Sequence, residues 1–116
     1  MTSYSLSSLV DRIYTAEQEL LKYQDKVAVV VDQLALFDAE IEVAIASNPE
    51  LKNDQQRKAA KLEAQRDNYY VEHKNSLIRA KKKVSATEIE VNYWRNLFSA
   101  KKLEARLEVY RLESVA

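Results

Sequence analysis

Apolar residues recur along the N-terminal half of this chain at the spacing of a coiled-coil seam. Leu6, Ile13, Leu20, Val27, Leu34 and Ile41 follow one another at seven-residue intervals, and Leu9, Ala16, Tyr23, Val30, Phe37 and Ala44 stand three residues beyond each. Such a repeat lines one narrow stripe of an α-helix, the stripe by which long helices pair. The pattern predicts a first helix over about residues 5–47, with Ser5 or Ser7 capping its free amides. Asn48-Pro49 ends it, because the residue before a proline is pushed out of helical geometry and proline has no amide hydrogen. Residues 48–53 form a loop short enough for an antiparallel hairpin.

Beyond the loop the pattern predicts a long second helix over about 54–114, capped by Asn53 or Asp54. Its ladder reads Tyr70, Leu77, Val84, Val91, Phe98, Ala105 and Leu112, with mixed intermediate rungs at Arg66, His73, Ala80, Thr87, Trp94 and Lys101. Ser85-Ala86-Thr87-Glu88 has the spacing of a capping box and follows three lysines, which marks a possible break near residues 84–86. Val84 keeps the ladder in phase there and no residue demands a turn, so continuity is the expectation. Towards the end a different face appears through Ala100, Leu103, Leu107 and Tyr110, as a stutter or a second partner would produce.

The fold expected is all-α: residues 1–116 form one helical domain, an antiparallel, coiled-coil-like hairpin of long helices that self-associates into a bundle. A hairpin centred near Leu51 sets Leu6 opposite the neighbourhood of Leu97. Everything from Phe98 onward then overhangs. Each large apolar side chain left in water there forgoes about 1.5–3 kcal/mol, so Leu97, Phe98, Leu103, Leu107 and Tyr110 are the expected oligomer interface, with a dimer favoured.

Composition supports helix and removes several chemistries. The chain has no glycine, one proline and no cysteine. Hairpin turns of a sheet protein need glycine, as do phosphate-cradling loops, and without cysteine neither a disulfide nor a thiolate-bound metal is expected. His73 is the lone histidine; a paired-helix metal site needs a second, so no metal or cofactor is expected. Serines and acids lack a nucleophile elbow, and the expectation is a protein that is not an enzyme. The opening Met1-Thr2-Ser3-Tyr4-Ser5 has neither the basic nor the apolar region of a leader. The longest apolar run, Val27 to Val31, falls far short of a membrane span. A cytoplasmic protein with no membrane partner is therefore expected.

Charge is balanced overall but uneven. Residues 1–48 carry three basic and eight acidic side chains, net −5, and the remainder fifteen and ten, net +5. Opposite signs on two segments that lie side by side favour their pairing, and Arg57 is expected to pair with acids at the end of the first helix. A basic surface for nucleic acid is the sharper alternative. Lys74, Lys81, Lys82 and Lys83 would then meet phosphates, with Tyr69, Tyr70, Tyr93 and Trp94 as stacking partners.

Leu51-Lys52-Asn53-Asp54-Gln55-Gln56-Arg57-Lys58-Ala59 resembles a feature of small helical proteins of phages and prophages, in which asparagine caps a helix and an arginine follows four residues later. Trp94-Arg95-Asn96-Leu97-Phe98, late in a long helix, is similar to them too. The resemblance implies a small intracellular accessory protein, sometimes encoded near recombination functions, and brings no catalytic residue. The function expected is a structural or protein-interaction module that oligomerises through its C-terminal helix. The alternative is an accessory nucleic-acid-binding protein using a basic face of the second helix.

Overall fold

Ser5 opens the first helix by accepting a hydrogen bond from the Ser8 amide at 3.2 Å, one of the orphan donors every helix start presents. Helix α1 then runs Leu6–Ala46, α2 Asp54–Ala64 and α3 Asn68–Val115. The computed structural model describes residues 4–115. Met1, Thr2 and Ser3, read above for a leader, and Ala116 at the end of the expected domain lie outside them. Among the described residues there is no strand; the fold is an all-α antiparallel hairpin of long helices.

The chain divides into two compact units, one of Met1–Lys22 with Lys83–Ala116 and the other of Tyr23–Lys82. Helices α1 and α3 each contribute to both. In the first unit Leu9, Ala16, Val91 and Trp94 form the buried core, with Tyr4, Ile13, Leu20, Leu97 and Phe98 packed partly buried around it. In the second, Val30, Leu34 and Tyr70 are buried, flanked by Phe37, Ile41 and Leu77. Both cores are drawn from the heptad ladders. Leu6 and Ala44, at the two ends of the α1 stripe, stay exposed.

The turn after α1 is built as the sequence dictates. The Asn48 side chain accepts from the Glu50 amide at 3.0 Å, and the Leu51 amide reaches back to the Asn48 carbonyl at 3.3 Å, closing a turn over Pro49. Asn53 caps α2 by accepting from the Gln56 amide at 2.8 Å. Gln56 answers by accepting from the Lys52 amide at 2.7 Å, a reciprocal arrangement akin to a capping box.

The expected single helix over 54–114 is corrected: it is two helices, parted at residues 65–67. The Arg66 and Asp67 amides take three-residue bonds to Glu63 and Ala64, which tighten and end α2. Asp67 then accepts from the Tyr69 amide at 2.9 Å and so caps α3. No glycine or proline is involved, because a short carboxylate suffices to draw a backbone amide out of the helical ladder. At residues 84–86, α3 is continuous. There the Thr87 hydroxyl, inside the core, donates to the Lys83 carbonyl at 2.7 Å.

Candidate interaction surface

The first unit owes its open surface to where α1 begins. Helix α1 starts at Leu6, and its stripe is used up on Val91, Trp94, Leu97 and Phe98. Helix α3 continues to Val115, and every described residue after Lys101 is exposed. Leu103, Leu107 and Tyr110 are 56, 59 and 73% exposed. Val109, Leu112 and Val115 are exposed as well. Two exposed ion pairs, Lys101–Glu104 at 3.7 Å and Arg111–Glu108 at 2.9 Å, brace this stretch from within, each contributing a fraction of a kcal/mol.

Two members of the expected interface lie partly under their own chain's cover. Leu97 and Phe98 are half-buried against their own chain's core, because the folded-back N-terminal segment reaches far enough for Tyr4 to meet Trp94 edge-on at 5.3 Å. The open apolar surface therefore consists of Leu103, Leu107, Tyr110 and their neighbours.

In the second unit the cross-helix charges are supplied differently from the sequence reading. Arg57 pairs with Asp54 inside α2 at 3.3 Å, not with α1. Lys61 makes that contact, meeting Glu42 at 2.9 Å. The hydrogen bond and charge of Glu42 hold the Lys61 ammonium above the ordinary lysine value. Tyr70 donates to Asp38, and its phenol is raised too, by burial first and by that hydrogen bond second. In the first unit Arg95 of α3 pairs with Glu17 of α1.

The lysines proposed for phosphate contact do not gather on one face. Lys74 lies over the Tyr70 ring at 5.8 Å. Lys81, Lys82 and Lys83 are exposed, but consecutive helical residues turn by about 100° each, so the three fan around α3. Of the expected stacking aromatics, Tyr70 and Trp94 are buried, while Tyr69 and Tyr93 are exposed. Trp94 also donates its indole N–H to Glu90 at 3.3 Å. His73 sits among Phe37 and Tyr69, with Nδ1 2.8 Å from the Tyr69 carbonyl oxygen.

A cleft of about 720 Å³ opens in the second unit, floored by Phe37, Ile41, Ala60 and Ala64 and rimmed by Glu63 and Asp67. Among the described residues its lining holds no serine, threonine, cysteine or histidine. Among the described residues no group of three His, Cys, Asp or Glu is placed to hold a metal ion, and no helix is long and apolar enough to cross a membrane.

The core ladders omit several apolar residues that the structure leaves in water. Val29, Leu36 and Val43 repeat at seven-residue intervals along the outer side of α1 in the second unit, and Ile89 and Tyr93 stand four residues apart off the ladder of α3 in the first. Their signal in the sequence is an apolar residue out of phase with the main seam. Comparison with protein-family models, with curated proteins and with solved structures found no match to this chain.

Proposed function

We propose that this chain is a non-enzymatic structural or protein-interaction module that self-associates through the C-terminal part of α3, most simply as a dimer. The observation that carries the reading is the run of exposed Leu103, Leu107 and Tyr110 on a helix that continues past its own chain's cover. A contiguous apolar stripe on a charged helix is the usual mark of an interface. The resemblance to phage-type helical proteins supports a cytoplasmic accessory role. Sedimentation velocity tests the reading: the wild-type chain runs as a dimer and the Leu103→Glu, Leu107→Glu double variant as a monomer. A monomer both before and after substitution overturns it.

A second reading, accessory nucleic-acid binding, is favoured by the exposure of Lys74, Lys81 and Lys82 in the second unit. Phosphate contacts of this kind weaken steeply with salt. Electrophoretic retardation of single- and double-stranded DNA across a salt series tests it, and no retardation at the lowest salt removes it.

A further inference from the structure

The exposed apolar residues of α3 in the first unit belong to one repeat. Ile89, Tyr93, Ala100, Leu103, Leu107 and Tyr110, with Asn96 between Tyr93 and Ala100, alternate spacings of four and three residues over three heptads. All are exposed, Ile89 and Tyr93 at 71 and 57%. At about 100° per residue this line runs along the side of α3 opposite Thr87, Val91 and Trp94, which face the core. Helix α3 is therefore apolar on two opposed sides. One side is used within the chain, and the other is a coiled-coil seam that is exposed among the described residues.

We infer that this seam receives the same seam of a second copy, antiparallel, with Tyr93 against the second copy's Tyr110 and Ala100 against its Leu103. The inference rests on the self-association proposed above and names the surface and direction by which it happens. Charge on the residues bordering the seam selects the arrangement. Glu90, Leu97, Glu104 and Arg111 border one edge; Asn92, Ser99, Arg106 and Glu113 border the other. In a parallel pair, opposite edges meet, and Arg106 falls against Arg111 of the other copy, twice by symmetry. In an antiparallel pair, like edges meet. The stated register then places Glu90 beside Arg111 twice, sets Asn92 by Glu113 and Ser99 by Arg106, and brings no like charges together. Sliding it one heptad toward the N-terminus opposes Glu90 to Glu104. Sliding it one heptad the other way opposes Arg106 to its own copy. The register chosen uses the seam from Ile89 to Ser114, and its one cost is Asn96 beside Leu107.

The absence of cysteine makes disulfide trapping clean. Asn92→Cys and Glu113→Cys are made as separate, exposed substitutions, mixed in equal amounts and oxidised, with circular dichroism confirming unchanged helicity. The expected result is a mixed disulfide exceeding either homodisulfide several-fold. Predominant homodisulfides overturn the antiparallel inference and leave self-association standing. A dimer by sedimentation that traps no disulfide at all assigns the contact to another face and also overturns the inference alone. A monomer at every concentration overturns both.

Discussion

The Tyr70 hydroxyl donates to Asp38 Oδ1 at 3.0 Å, and Gln65 Nε2 reaches the same oxygen at 3.1 Å. The donors stand five positions apart in sequence, and they converge because the break at 65–67 leaves Gln65 as the C-cap of α2 and Tyr70 on α3. Asp38 thus ties α1 to the end of α2 and to α3 within the second unit. Tyr70→Phe removes one donor while keeping the ring, and should cost about 1.5–3 kcal/mol, the range for hydrogen bonds to a charged acceptor. Asp38→Ala should cost more, and the double variant less than the two together, since both single changes break the same network. Urea denaturation of the four proteins measures this; strict additivity would show that the bond contributes nothing.

Alkaline pH should weaken the second unit. Tyr70 and Lys61 both hold their protons more tightly when folded than at the ordinary values of 10.0 and 10.5. Groups raised in this way contribute their full stabilisation below the unfolded value and lose it as pH climbs through the folded one. The Lys61 side chain is 43% exposed, so solvent screens its pair with Glu42 and it adds little; most of the effect comes from Tyr70. Thermal melts taken from neutral pH to above 10.0 should show a falling midpoint, and Tyr70→Phe should flatten the fall. An identical slope in the variant would assign the loss to other groups.

Asp67 holds the start of α3, so Asp67→Ala should destabilise the chain by about 1 kcal/mol, as loss of an N-cap does. Asn53→Ala, at the start of α2, should cost a similar amount. Chemical denaturation of each measures the loss. Wild-type stability in Asp67→Ala would mean that α2 and α3 join without penalty once the carboxylate is gone.

Leu9 and Leu103 are both leucines on a heptad line, and they should respond oppositely to dilution. Leu9 is fully buried in the first unit's core, so Leu9→Ala should cost about 2–5 kcal/mol at any concentration. Leu103→Ala should change little in dilute solution and should lower the melting midpoint only where copies associate. Melts across a concentration series separate the two, and a concentration-independent loss at Leu103 would count against its place in an interface.

How far the fold was readable follows from which forces set each part. Positions such as Leu9, Ala16, Val30 and Leu34 repeat at a fixed period and are buried where that period places them, because burial of one stripe dominates the energy of paired helices. Pro49 leaves no choice about the end of α1. The break at Gln65–Asp67 was hidden because it depends on Asp67 competing locally for one amide, a contest that periodicity does not register. Ser85 and Glu88 carried the stronger cap signal, yet tertiary burial of Thr87 and Val91 kept that stretch helical. The site divided in the same way. The open end was legible from the lengths of the two arms, whereas Leu97 and Phe98 are half-buried because they pack, as Tyr4 does, against the cluster of Leu9, Val91 and Trp94. The outward line through Ile89 and Tyr93 was masked by the stronger ladder beside it on the same helix.

The last turns of α3 have a thermodynamic peculiarity. From Lys102 to Val115 each described residue faces solvent, so the segment draws no stability from its own core and relies on backbone bonds that open individually at little cost. Its amides should exchange with heavy water first, and a protease should trim the chain from this end. The firmness of that stretch is thus set from outside, by how often something comes to lie on it.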